Sequence, residues 1–104
     1  MRLLENKVAL TTGASRGIGA AIALAMAEQG ALVAATATTA AGAENISQRL
    51  QAHGLKGKGF VLNLSDDASI KSLFAELQDF GLPNILVNNA GITRDNLLLR
   101  MKAE

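Results

Sequence analysis

The stretch Thr12-Gly13-Ala14-Ser15-Arg16-Gly17-Ile18-Gly19 stands between the apolar run Val8-Ala9-Leu10 and an alanine-rich run from Ala20 to Glu28. A glycine-rich turn that joins a strand to a helix is a place to hold a diphosphate. The first N–H groups of the helix lack partners inside it and lie at the positive end of its dipole. Gly13 permits the tight turn, Gly17 permits close approach of phosphate to backbone, and Gly19 permits the helix to pack on the strand. Ser15 and Ile18 can offer backbone N–H groups, and Ser15 adds a hydroxyl. The spacing G-x-x-x-G-x-G departs from the G-x-G-x-x-G form of the common dinucleotide fingerprint. Taken alone it also suits a plain chain reversal, so a second signal is needed.

Outward from this turn, strand-like and helix-like segments alternate. Lys7–Thr11 reads as a buried strand and Gly17–Gln29 as a helix, with Ile18, Ile22, Leu24 and Met26 as its apolar contacts and Gly30 at its C-terminal cap. Ala31–Thr36 reads as a second strand. Ala43–His53 reads as a second helix, with Ile46 and Leu50 at i, i+4 spacing and Gly54 after it. Gly59–Leu64 is the third strand. Ser65 or Asp66 caps a third helix over Ala68–Phe80, with Ile70, Leu73, Phe74 and Leu77 on one face. Gly81-Leu82-Pro83 ends it, and Ile85–Asn88 is a fourth strand. Leu97–Met101 begins a further helix or lid. Repeated strand–helix units of this length imply an α/β fold with a parallel sheet and helices on both faces. Right-handed crossovers favour a Rossmann-type, doubly wound strand order of 3-2-1-4.

The composition narrows the function classes. Hydrophobic residues make up 49% of the 104 residues, enough to bury a core. The net charge is +1, with no basic tail or face to suggest nucleic acid. There is no cysteine, so disulfides and thiolate chemistry are excluded. No apolar run approaches the ~20 residues that span a bilayer. With 3% aromatics and neither Trp nor Tyr, a base-stacking platform is not expected. A cytoplasmic setting is expected.

The second signal is Asn88-Asn89-Ala90-Gly91, directly after the apolar run Ile85-Leu86-Val87. Two such motifs, each at the end of a strand and in this order, resemble the short-chain dehydrogenase/reductase family. The resemblance covers essentially the whole chain. Within the family, the block from Asn88 through Ile92-Thr93-Arg94-Asp95-Asn96-Leu97-Leu98-Leu99-Arg100-Met101 resembles the bacterial group that reduces 3-oxoacyl chains on acyl carrier protein. Lys7 to Gly19 and the acid-free Thr36-Ala37-Thr38 agree with that group.

The end of strand two discriminates between nicotinamide cofactors. A carboxylate there would accept from the ribose 2′-hydroxyl of NAD. Here Thr36-Ala37-Thr38-Thr39 carries none, and the next acid is Glu44. Arg16, inside the glycine turn, can reach a 2′-phosphate, and Thr38 can donate to it. Both features favour NADP(H). By resemblance, Asn63 places a polar side chain against the adenine and Leu64 packs beside the ring. Asn89, Ala90 and Gly91 bracket the adenosine ribose, Asn89 steadies the sheet, and Gly91 lets the chain pass close to the cofactor. Asn88 reads better as a structural partner for buried backbone.

Other residues take plainer readings. His53 suits the C-terminal end of a helix better than catalysis. Asp66-Asp67 suits a helix start better than a metal. Lys56 and Lys58, interleaved with Gly57 and Gly59, read as a solvated turn, and Met26 and Met101 as core filler.

The resemblance implies hydride transfer from NADPH to a β-ketoacyl thioester. It also implies a tyrosine acid, a lysine that lowers its pKa, a serine and an asparagine, all at positions after 104 in the family. No residue here takes those roles, and the chain holds no tyrosine at all. The chain is therefore expected to be the N-terminal, cofactor-binding part of a Rossmann-type domain that continues past Glu104, inactive alone and with strand four as an open edge. The whole protein is expected to be a homo-oligomer, as the family commonly forms tetramers. Alternatives stay open: a short-chain reductase of a small ketone, sugar or steroid, a non-catalytic dinucleotide-binding protein, or a remnant whose role is self-association.

Overall fold

The computed structural model describes residues 3–15 and 17–89. The order is β1 (Val8–Thr12), α1 (Gly17–Glu28), β2 (Leu32–Ala37), α2 (Ala40–Ala52), β3 (Gly57–Val61), α3 (Asp67–Phe80) and β4 (Ile85–Asn88). The four strands form one parallel sheet in the order β3-β2-β1-β4. In register, Leu10 of β1 lies between Ala34 of β2 and Leu86 of β4. The Rossmann-type arrangement read from the sequence is present. From β1 the chain moves one way to β2 and β3, then returns to place β4 on the other side. The crevice at the carboxyl end of β1 is therefore the switch point where such sheets bind ligands.

Strands covered on both faces read as apolar runs without alternation. Successive residues still point to opposite faces. Ala9, Val33, Ala35 and Ala37 pack with Ala23 and Ala27 of α1 and Ile46 and Leu50 of α2. Leu10, Ala34, Phe60 and Leu62 pack with Ile70, Leu73 and Leu77 of α3. Phe80 closes that second face edge-on against Phe60, with ring centroids 5.2 Å apart.

Several local expectations are corrected by this packing. The fully buried stripe of α1 is Gly19, Ala23 and Ala27, at i, i+4 and i+8, while Leu24 and Met26 of the expected contacts pack half-buried against the same cluster. Ile18 is 73% exposed. The smallest residues face the sheet because the helix lies close against it. Helix α2 starts at Ala40, three residues earlier than expected from apolar spacing, because the Thr39 hydroxyl caps it by accepting from the Gly42 N–H at 3.0 Å. Helix α3 is capped by Asp66, which accepts from the Ala68 N–H, and not by Ser65.

The third strand is Gly57–Val61, displaced toward the N-terminus from the expected Gly59–Leu64. Lys58 lies inside it, with its ammonium 5.2 Å from the centre of the Phe60 ring, so the Lys56–Gly59 stretch is not simply a solvated turn. Its glycines are there for space. A Cβ on Gly59 would collide with the backbone carbonyl of Ala43 in α2, and one on Gly57 would stand 2.6 Å from the Val33 carbonyl oxygen. The Gly59 N–H, at this outer strand, donates to the Ser47 hydroxyl of α2 at 2.9 Å. Tertiary approach has overridden the poor strand propensity of glycine.

His53 is the C-cap of α2, and its Nδ1 lies 2.8 Å from the Arg49 carbonyl, as its plainer reading expected. The expected helix or lid over Leu97–Met101 lies outside the described residues. Among the described residues no helix is long and apolar enough to cross a membrane.

Candidate functional site

The turn after β1 is built from two left-handed glycines and a set of buried hydroxyls. Gly13 has φ +64° and Gly17 has φ +65°, a region open to glycine at little cost. In front of Gly17 an added Cβ would meet no atom of the described residues within 4 Å, so they leave the backbone there open to a ligand. Gly19 is the opposite case. A Cβ on it would collide with the Gly13 carbonyl and lie 2.6 Å from Asn89 Nδ2. Gly17 leaves room outside the turn, while Gly19 closes its inside.

The turn is tied to strands on both sides of β1. The Gly13 N–H donates to the Thr36 hydroxyl at 3.2 Å, and the Ala14 N–H donates to the Thr36 carbonyl at 2.7 Å. From β4, Asn89 Nδ2 donates to the Gly13 carbonyl at 3.2 Å. The Thr12 hydroxyl donates to Asn88 Oδ1 at 3.1 Å and accepts from the Asn89 N–H at 3.0 Å. Thr12 and Thr36 are themselves buried. Buried polar groups of this kind hold position because leaving any of them unpaired is costly.

The first amides of the turn are thus consumed by β2. The amides that follow open α1, where its dipole favours an anion. Ser15 is half-buried and Ile18 projects from the first turn of the helix. Ser15 Cβ lies 3.6 Å from where a Cβ on Gly42 would stand, so the glycine turn adjoins the first turn of α2. Thr38, just past β2, is exposed beside them. The segment Thr36–Thr39 brings no carboxylate to this corner, and the first turn of α2 is also free of acids. The nearest later acid, Glu44, is exposed and accepts from Gln48 at 3.5 Å along its own helix. A doubly charged phosphate would meet no fixed negative charge from these segments.

Asn63 stands two residues beyond the end of β3, outside the strand expected to run to Leu64. It forms a local turn: its Oδ1 accepts from the Ser65 N–H at 3.1 Å and the Ser65 hydroxyl at 2.7 Å. Its own N–H donates to Ser69 in α3 at 2.9 Å. Leu64 is half-buried against the cluster under α3. Arg16, Ala90 and Gly91, and the block from Ile92 to Met101, lie outside the described residues.

The structure therefore brings Gly13, Ser15, Gly17, Ile18, Gly19 and Asn89 together around one turn, with Thr38 at its flank. Reading the sequence missed Thr12 and Thr36. Both carry hydroxyls near the carboxyl ends of buried strands, and residue type alone does not say which partner each will meet. Asn88, read as a partner for buried backbone, takes the Thr12 side-chain hydroxyl instead. Among the described residues no group of three His, Asp or Glu side chains could hold a metal.

Comparison with known proteins agrees with this geometry. The family model for short chain dehydrogenase matches residues 7–104. The chain is 57% identical over 100 residues to the 3-oxoacyl-[acyl-carrier-protein] reductase FabG of Pseudomonas aeruginosa, covering 95% of this chain and 40% of that protein. It is 57% identical over 101 residues to FabG of Escherichia coli, covering 96% and 40%. FabG of Vibrio cholerae is 58% identical over 102 residues, covering 97% and 41%. The chain thus spans about 40% of the length of the curated relatives it matches.

Proposed function

The chain belongs to the short-chain dehydrogenase family, and from that premise we propose that the protein carrying it is an NADPH-dependent 3-oxoacyl-[acyl-carrier-protein] reductase. The observation that carries the substrate is the 57% identity to FabG proteins over almost the whole chain. This chain supplies the cofactor-binding half of a single Rossmann-type domain. The whole protein works as a cytoplasmic homo-oligomer, a tetramer in the manner common to the family, on acyl chains presented by acyl carrier protein.

Each residue's share follows from its place. The open backbone at Gly17 and the amides of Ser15 and Ile18 receive the diphosphate. Arg16 and the Thr38 hydroxyl take the ribose 2′-phosphate in a corner without carboxylates, which supports NADPH over NADH. Asn63 and Leu64 line the adenine, and Asn89, Ala90 and Gly91 the adenosine ribose. When bound, the nicotinamide supplies the hydride that reduces the ketone. This chain holds the other end of the dinucleotide, and no catalytic group is assigned to it.

Titration of the protein with both cofactors tests the reading. NADPH binds tighter, and equal or tighter NADH binding overturns the preference. Arg16→Ala weakens NADPH by about tenfold or more and barely changes NADH, because a charge-assisted contact is lost. Thr38→Asp moves the ratio toward NADH. Residues 1–104 alone give no oxidation of NADPH with an acetoacetyl thioester above a no-protein control. The protein carrying them does, and its failure on that substrate with intact cofactor binding would favour a reductase of another small ketone.

A further inference from the structure

We propose that Thr36 is a positioning residue for dinucleotide binding, acting by withdrawing the first two amides of the glycine turn from the ligand. The proposal rests on the reading that this turn receives the diphosphate of a nicotinamide dinucleotide. Thr36 is 2% exposed and is the next-to-last residue of β2. Its hydroxyl accepts from the Gly13 N–H at 3.2 Å and its carbonyl accepts from the Ala14 N–H at 2.7 Å. One residue thereby takes two successive donors of the turn.

The consequence is directional. A glycine turn in which all amides were free could receive a diphosphate in more than one register. With Gly13 and Ala14 committed to β2, the donors left for an anion begin at Ser15, next to the first turn of α1. The bond to Gly13 also holds that residue in its left-handed conformation from the β2 side, opposite the Asn89 amide that holds its carbonyl from the β4 side. The neighbouring hydrogen bond from the Leu62 N–H to the Ala37 carbonyl at 2.8 Å fixes the strand end immediately after Thr36. Thr38 lies two residues on. The same short segment therefore sets both where the diphosphate lies and where the ribose is inspected. Valine would keep the β-branched shape and volume but leave the Gly13 N–H without its acceptor. Serine would keep the acceptor and lose only a methyl group.

The test measures binding of NADPH, NADH and 2′-AMP to the wild-type protein and to its Thr36→Val and Thr36→Ser variants, each confirmed folded by circular dichroism. The third probe has the 2′-phosphate and no diphosphate. In Thr36→Val, affinity for NADPH and NADH falls by the same factor, about tenfold, so that their ratio is unchanged. Its affinity for 2′-AMP stays at the wild-type level, and Thr36→Ser binds all three as the wild type does. Should Thr36→Val not fold, Thr36→Ala takes its place in the same comparison. The proposal is overturned if the variant lacking the hydroxyl keeps wild-type dinucleotide affinity. It is also overturned if Thr36→Ser loses as much, or if 2′-AMP binding falls in step, since either would mark a general loosening of the fold. A wild type that binds neither dinucleotide sinks the functional reading and this inference together. A wild type that prefers NADH sinks only the cofactor preference, and Thr36 is then judged on NADH.

Discussion

Beneath α1 and α2 the sheet meets Ala14, Ala23, Ala27, Ala31, Ala35 and Ala37, with Val33, Ile46 and Leu50 as the larger members. Beneath α3 it meets Leu10, Phe60, Leu62, Ile70, Leu73 and Leu77 around the small residue Ala34. Large side chains bury apolar area, each worth about 1.5–3 kcal/mol when fully removed from water. Small ones let backbones approach. The face of α1 and α2 uses that approach where Gly59 meets Ala43, where Gly42 meets Ala37 and where Gly19 meets Gly13. The second of these contacts brings the start of α2 beside Ser15, and the third closes the glycine turn. One face stabilises, and the other sets the spacing at the site.

Four substitutions break or sharpen that contrast. Leu77 is 0% exposed under α3. Leu77→Ala is expected to cost about 2–5 kcal/mol in denaturant unfolding, because the cavity adds to the lost transfer energy. Dinucleotide affinity of the folded protein should stay unchanged; a parallel loss of affinity would show that the faces are not separable. Gly59→Ala is the mirror case. It adds one methyl against the Ala43 backbone, which has no rotamer to yield, and should cost about 1–3 kcal/mol. Its affinity should fall as well, since α2 must lift away from the sheet. Unchanged stability would mean that α2 sits less tightly than its contact with β3 indicates.

Gly17→Ala should cost less, about 1–2 kcal/mol, from the left-handed backbone alone. Among the described residues nothing stands within 4 Å of the added methyl, so their packing does not suffer. Its loss of dinucleotide affinity should nevertheless exceed that of Gly59→Ala, and calorimetric titration would reverse the assignment if it did not. The smallest effect is expected at Asp66, whose carboxylate accepts from the Ala68 N–H at 3.0 Å at the start of α3. Asp66→Ala should lower stability by about 1 kcal/mol through the lost cap. It should leave binding untouched, as befits the stabilising face.

How much was legible follows the same divide. The face of α3 carries Ile70, Leu73 and Leu77 at helical spacing, and the sequence alone marks that stripe and narrows the cap to Ser65 or Asp66. On α1 the reading holds for Leu24 and Met26, which pack against the core, but misses the fully buried stripe, because Gly19, Ala23 and Ala27 give no hydrophobic contrast against Ile18 and Ile22. The start of β3 is placed two residues late, at Gly59 in place of Gly57, for the same reason: a glycine demanded by close packing looks, in one dimension, like a glycine demanded by a bend. Within the site, the left-handed glycines and the acid-free end of β2 were visible from residue type. The hydroxyls of Thr12 and Thr36 were not, since nothing local says which amide each will meet.

The amino-acid sequence by itself determined the alternation of strands and helices, the switch-point order and the glycine turn between β1 and α1. The alternation and the turn follow from periodicity, caps and backbone freedom, which act over a few neighbouring residues, and the order follows from the fixed hand of the crossovers. Only the tertiary structure decided that Thr36, 23 positions from Gly13, accepts its N–H, and that Asn89, 76 positions away, holds its carbonyl. The reason is physical: a buried amide must find an acceptor, and which acceptor is within reach depends on which strand ends the fold brings together.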